Sequence, residues 1–235
     1  MRRTRAFSIF SLCLILFSGL PGILRSATAQ QQEKRIALVV GNGAYAKSPL
    51  ATAANDAGLI AQTLQAAGFD VVGARDLDGD TLRKSFRDFI QKAEASGPGT
   101  VAMVYLAGYG MQLAGENYFI PVDSAVTRDT DIPIEALRIS DYVRQLAALP
   151  LKASVVVLDA ARQQPFIQGG QPIASGLALV EPTEHMLIAF NAAARHDRSQ
   201  RAGALWCICA IACRDDPHRW TAAAGGLQPR AAPRQ

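Results

Sequence analysis

Apolar positions recur along this chain in two alternating rhythms. Arg35–Asn42 (RIALVVGN) is an uninterrupted apolar run ending at Gly41-Asn42, the pattern of a strand buried on both faces. From Asn55 to Ala67 the rhythm changes. Ala57, Ile60, Ala61, Leu64 and Ala67 fall on one helical face, and Gly68 supplies the stop. FDVVGA (Phe69–Ala74) predicts a second strand. Leu82, Phe86, Phe89 and Ile90 follow Asp80 at helical spacing, which predicts a helix from Asp80 to about Ala95. Gly97-Pro98-Gly99 breaks that helix before a third strand, Thr100–Ala107. MQLAGENYFIPVD predicts a small hairpin turning at Ala114-Gly115-Glu116. A helix over Ile139–Leu149, a strand over Ala153–Ala160 and a last strand over His185–Ala192 complete the series. Strands alternating with helices imply an α/β domain whose parallel sheet is covered on both faces. In such sheets ligands bind beyond the carboxyl ends of the strands. Here those ends are Gly41–Tyr45, Gly108–Gly110 and Asp159–Phe166.

The two ends of the chain read differently. Arg2, Arg3 and Arg5 precede an apolar run from Ala6 to about Leu24, and small residues at Ala27 and Ala29 close it. This is the pattern of a secretory signal peptide cleaved after Ala29. The expected location is therefore secreted or periplasmic. An uncleaved membrane anchor is the weaker alternative, because Pro21 and Gly22 interrupt the run.

Charge and cysteine content follow the same division. The formal net charge is +4, yet residues 30–194 hold 13 Lys and Arg against 17 Asp and Glu. The basic excess sits in the leader and the tail, so no basic face argues for nucleic acid. The four cysteines are Cys13, Cys207, Cys209 and Cys213. Residues 30–194 therefore contain neither a disulfide framework nor a thiol nucleophile.

Several motifs carry candidate chemistry. GNGAYA (Gly41–Ala46) formally fits a Gly-X-Gly-X-X-Ala nucleotide turn, but the next helix starts about ten residues too late to place its N-terminus at a pyrophosphate. A tight strand-to-loop turn is the expected reading. Cys207, Cys209, Cys213 and His218 only loosely approach a zinc spacing. No metal and no cofactor are expected. YLAGYG (Tyr105–Gly110) ends the third strand in Gly-X-Gly, a turn expected to lift Tyr109 off the sheet, and LDAARQQPF (Leu158–Phe166) ends the fourth on the same rim.

RIALVVGNGAYA, ANDAGLIAQTL, VYLAGYGMQLAGENYFIPVD and VVVLDAARQQPF, in this order and spacing, resemble the caspase-like peptidases of bacteria. These are the metacaspase or orthocaspase group of peptidase family C14. The resemblance implies a caspase-like fold, mostly parallel sheet flanked by helices, over residues 30–194. In that family the third strand ends in a Tyr-Ala-Gly-His-Gly type motif with a general-base histidine. The fourth ends in an Asp-Ala-Cys-Arg type motif with a nucleophilic cysteine. Matched residue by residue, the histidine position holds Tyr109 and the cysteine position holds Ala161. A methyl group cannot attack a carbonyl, and residues 159–166 offer no Ser, Thr or Cys instead. The expectation is a domain without catalytic residues, in which Tyr109 packs over the vacated cleft and its hydroxyl finds a partner at the rim.

Two acids match positions that line a pocket for Arg or Lys in metacaspase-like members: Asp56, in the Asn-Asp-Ala motif, and Asp159. The resemblance thus implies Arg/Lys-containing peptides or proteins as partners, held by charge-assisted hydrogen bonds. The plain alternative is that Asp56 caps its helix and Asp159 satisfies local amides. Where the family has Arg-Asp-Asn-Pro-Phe, this chain has Arg162-Gln163-Gln164-Pro165-Phe166, one acid fewer.

After Ala193 the motif resemblance stops. Residues 195–235 are rich in Arg, Ala and Cys with little amphipathic order, as a shifted reading frame would give. Trp206-Cys207 requires TGG-TGY, which one base along reads as glycine, and allowed codons can be chosen to continue the family pattern. On that reading the tail cysteines are by-products, and the domain lacks its C-terminal strand and helices. An unpaired sheet edge and low stability would follow.

Overall fold

The computed structural model describes residues 33–191. The leader, the tail with Cys207, Cys209, Cys213 and His218, and the boundary at residue 194 lie outside the described residues. Why the strand runs are apolar throughout is clear from the sheet they form. β1 (Lys34–Gly41), β2 (Asp70–Arg75), β3 (Thr100–Ala107), β7 (Ala153–Asp159) and β8 (Met186–Phe190) pair in parallel in the order β2-β1-β3-β7-β8. Successive side chains point to opposite faces. Ile36, Leu38 and Val40 of β1 join Ala102, Val104, Leu106, Val156 and Leu158 in one core. Ala37 and Val39 join Met103, Tyr105, Ala107, Val155 and Val157 in another. A central strand with both faces buried is apolar along most of its length, which is why its sequence shows no alternation.

Helices close both faces. α1 (Ala53–Ala66) lays Ala53, Ala57, Ile60 and Leu64 on the second core. α2 (Gly79–Ser96) and α4 (Ile139–Ala148) cover the first with Leu82, Phe86, Phe89, Ile139 and Leu146. α1 begins two residues before the predicted Asn55, at Ala53, with Thr52 as N-cap and no side-chain capping bond. The reason is packing. A Cβ on Gly41 would stand 2.6 Å from Ala57 Cβ and 2.8 Å from the Ala53 carbonyl, so the glycine at the end of β1 lets the first turn of α1 sit directly on it. α2 also begins earlier than predicted. Its cap is Asp78, not Asp80, and the Asp78 carboxylate accepts from Thr81 N–H at 2.7 Å.

A second, antiparallel sheet of β4 (Gly110–Leu113), β5 (Glu116–Phe119) and β6 (Leu137–Arg138) stands beside the parallel sheet. The hairpin turns on Ala114 and Gly115, both at positive φ (50° and 82°), the two-residue turn whose twist matches its strands. The sequence reading missed β6 and the one-turn helix α3 (Ile132–Glu135) that precedes it. β8 ends the parallel sheet among the described residues, as the last predicted strand does in the sequence. No described helix is long and apolar enough to cross a membrane.

Candidate functional site

The carboxyl ends of β1, β3 and β7 converge, as the strand order requires, and polar side chains tie them together. Asn42, fully buried just past β1, donates its own N–H to the Ala107 carbonyl. Its side chain accepts from Leu77 N–H at 2.9 Å and donates to the carbonyls of Leu77 and Ile120. One amide thus joins β1, the loop after β2 and the hairpin. Beside it, the N–H groups of Gly43 and Ala44 donate to Asp76 Oδ1 at 2.8 and 2.9 Å. Burial pushes the Asp76 carboxyl up, but these two donors and Arg75 outweigh it and hold the group below its ordinary value. The amides a phosphate would need in the GNGAYA turn already have a carboxylate of this chain, consistent with a plain structural turn there.

Tyr109 follows β3, and the glycines on either side of it tie this chain end to the end of β7. Gly108 N–H and Gly110 N–H donate to the carbonyls of Asp159 and Ala160, at 3.3 and 2.8 Å. Positions 109 and 161 therefore lie on neighbouring chain ends. Neither flanking glycine is at positive φ. They are small because the space is full: a Cβ on Gly108 would meet Tyr45 Oη at 2.7 Å and Phe119 Cζ at 2.9 Å, and one on Gly110 would meet Leu177 Cδ2 at 2.9 Å.

Tyr109 packs as a ring beyond the end of β3 rather than standing free at the turn. The ring is only 3% exposed and is set edge-on against Tyr45 (centroids 4.9 Å apart) and Phe166 (5.1 Å). Its hydroxyl donates to Ser48 Oγ at 2.9 Å. Its N–H donates to Tyr45 Oη at 3.1 Å, and Tyr45 in turn donates to the Ile120 carbonyl at 2.9 Å. Burial pushes the Tyr45 hydroxyl far above the ordinary phenol range, so it stays a neutral donor. The three rings come from the three strand ends identified in the sequence: Tyr45 after β1, Tyr109 after β3 and Phe166 after β7.

Ala161 is buried, and its N–H donates to Asn191 Oδ1 at 2.9 Å. Asp159, at the end of β7, accepts from the side chains of three residues on one small rim. Its Oδ2 accepts from Tyr105 Oη at 2.9 Å. Its Oδ1 accepts from Asn191 Nδ2 at 2.8 Å and Arg162 Nη2 at 3.1 Å. Arg162 also donates Nε to the Gly108 carbonyl at 3.1 Å. None of these donors is a local backbone amide, so the alternative role foreseen for Asp159 is not the one it fills. Asp56 does not cap α1 either. Thr52 holds the cap position, and Asp56 lies half-buried in the first turn, its side chain without a hydrogen bond to any described residue.

The two acids meet electrostatically at one phenol. Burial pushes the Tyr105 hydroxyl far up, and the charges of Asp159 and then Asp56 add to that, with Arg162 opposing. The sequence reading missed Tyr105, Tyr45, Ser48 and Asn191 as members of the site. Tyr105 carried a signal: a hydroxyl-bearing ring inside a strand buried on both faces needs a polar partner at its tip. Among the described residues a pocket of about 320 Å³ also lies on the other face, between α4, β8 and the hairpin. It is lined by Val143, Leu158, Met186 and Ile188 and contains none of Asp56, Tyr109, Asp159 or Ala161.

A family model described as the caspase domain, Peptidase_C14, matches residues 34–225 and so runs on beyond Ala193, where the motif resemblance stops. The crystal structure of a Geobacter sulfurreducens protein is 18% identical over 55% of this chain and 50% of its own, with a TM-score of 0.44. That of the Drosophila initiator caspase Dronc is 13% identical over 72% of this chain and 59% of its own, with a TM-score of 0.45. The chain thus spans between half and three-fifths of the length of these two structures. No curated protein matches.

Proposed function

The chain belongs to the caspase-domain family, Peptidase_C14, and from that membership we propose that it is a pseudoenzyme that binds peptides without cutting them. The observation that carries this reading is the pair Tyr109 and Ala161 at the two positions where the family motif has its histidine and cysteine. The Ala161 methyl cannot form a covalent intermediate, and residues 33–191 contain no cysteine to replace it. The Tyr109 hydroxyl donates to Ser48 Oγ inside an aromatic cluster, and neither hydroxyl has a hydrogen-bonded base beside it among the described residues. The ligands we propose are Arg/Lys-containing peptides or proteins, held through Asp56 and Asp159. Support comes from Asp159 at the rim, whose carboxylate already holds one guanidinium, that of Arg162, at 3.1 Å. The leader pattern supports a secreted or periplasmic site of action.

A fluorogenic peptide series with Arg or Lys before the reporter tests the reading. The full chain should release reporter no faster than a buffer blank, while a non-hydrolysable Arg peptide should bind and lose affinity in Asp56→Asn and Asp159→Asn. Turnover that persists in Tyr109→Phe would mean the chain works as a peptidase by another route. Family membership is the observation that favours this second reading, an active endopeptidase.

A further inference from the structure

Asp159 does not stand empty, and its occupant has the chemistry of the ligand proposed for it. The Arg162 fork is held at three points. Nε donates to the Gly108 carbonyl at 3.1 Å, and Nη2 donates to Asp159 Oδ1 at 3.1 Å and to the Asp159 carbonyl at 3.4 Å. Both side chains are 19% exposed, so the pair is largely shielded from solvent. With Tyr105 on Oδ2 and with Asn191 and Arg162 on Oδ1, three donors already occupy the carboxylate, and Arg162 holds the only position taken by a cation.

We propose that Arg162 is an internal ligand of the acidic rim, a guanidinium of the chain itself that must leave Asp159 before a peptide arginine can bind. This rests on the basic-peptide reading above. Three features suit the role. Arg162 lies beyond β7, in a stretch without helix or strand until Met186, so its side chain can leave without breaking the sheet. Its backbone is anchored separately, by N–H to the Ala160 carbonyl at 2.8 Å. The cradle it vacates is two carbonyls and a carboxylate oxygen arranged for a planar fork. A peptide arginine can reproduce those contacts. A lysine ammonium, a point charge on a flexible stem, cannot reach all three in one plane. The site therefore selects arginine over lysine, more narrowly than two carboxylates alone would. The latch lowers apparent affinity by the fraction of molecules in which Arg162 is out.

The test uses the full chain and two probes. The first is a fluorescein-labelled peptide with one arginine, beside its lysine twin. Arg162→Gln should bind the arginine peptide at least about tenfold tighter than the unaltered chain, with the larger gain for arginine. The second is guanidinium chloride at about 5 mM, well below denaturing levels. It should raise the Tm of Arg162→Ala and leave the unaltered chain unmoved. Should Arg162→Gln fail to fold, Arg162→Lys keeps the charge, loses the fork and should show the same direction of change. Equal peptide affinity with and without Arg162 overturns the latch and leaves the basic-peptide reading standing. Absence of peptide binding in every variant overturns that reading and the latch with it.

Discussion

Replacing Tyr45 by phenylalanine should destabilise the protein more than the same change at Tyr109, although Tyr109 occupies the more conspicuous position. Tyr45 is 1% exposed, and its hydroxyl both donates to the Ile120 carbonyl and accepts from Tyr109 N–H. The Ile120 carbonyl keeps a second donor, Asn42 Nδ2 at 3.3 Å, so it is not orphaned. Tyr109 N–H has no other partner among the described residues and would be left buried without one. One net hydrogen bond contributes about 1 kcal/mol, and an unsatisfied buried N–H costs about 1–3 kcal/mol more. Tyr45→Phe should therefore cost about 2–4 kcal/mol. Tyr109→Phe keeps both ring contacts and loses only the bond to Ser48, which is half-buried and open to water, so its cost should stay at about 1 kcal/mol. With a urea m-value of about 2 kcal/mol/M, the two midpoints should fall by about 1–2 M and about 0.5 M. If Tyr109→Phe shifts the midpoint as far as Tyr45→Phe, the Tyr109 hydroxyl matters in a way packing does not explain.

Two predictions concern pH. Tyr45 and Tyr105 have their hydroxyls raised by burial, so the unfolded chain releases protons near pH ~10 while the folded chain holds them. Stability should be complete below pH ~10 and fall above it by about 1.4 kcal/mol per pH unit for each such tyrosine, a slope that Tyr105→Phe should reduce by one tyrosine's share in a Tm series from pH 9 to 11. Asp76 is shifted the other way, with the Gly43 and Ala44 amides and Arg75 outweighing burial; its contribution is present above the ordinary carboxylate pKa and lost as pH falls through the lowered one. In Asp76→Asn, the Tm should drop less between pH 6 and pH 3 than in the unaltered chain, and an equal drop would remove Asp76 from the account.

Much of this architecture is legible in the sequence because burial on both faces makes β1, β3 and β7 apolar along most of their length, while α1 and α2 show a one-sided apolar stripe. The helix starts were less legible. Thr52 and Asp78 are the actual caps, but Asn55 and Asp80 are equally good cap residues, and packing of Ala53 on Gly41 decided the first case. β6, two residues long, carries no periodicity at all. At the site, the strand ends named the right segments, but not which neighbours Tyr109 meets there. Alternation fixes where a side chain points only while the ladder continues, and Tyr109 lies one residue past Gly108, after the strand has ended. The hydrogen bonding of Asp159 had no local signature either, since its partners come from Tyr105 and Asn191, 54 and 32 residues away, as well as from Arg162.

These surroundings bear on whether peptidase chemistry could be put back. Tyr109→His with Ala161→Cys supplies a base and a nucleophile but leaves the rim as it is. A histidine at 109 has to sit where the ring now faces Tyr45 and Phe166, and it is too short to keep the bond to Ser48. More seriously, acyl transfer needs backbone donors aimed at the developing oxyanion, and the N–H at position 161 is engaged by Asn191 Oδ1. The double variant should therefore cleave an Arg fluorogenic peptide slowly. Adding Asn191→Ala frees that donor, and one such donor is worth about 10²–10³ in kcat where it acts in full. Because the gain arises in the transition state, it should appear in kcat. KM is the less decisive measure, since Asn191 also leaves Asp159. A triple variant no faster than the double would show that the amide at 161 is not what holds the rate down. A double variant already turning over at about 10 s⁻¹, an ordinary enzyme rate, would show that the rim never lost its catalytic geometry and that only two side chains separate this protein from a peptidase.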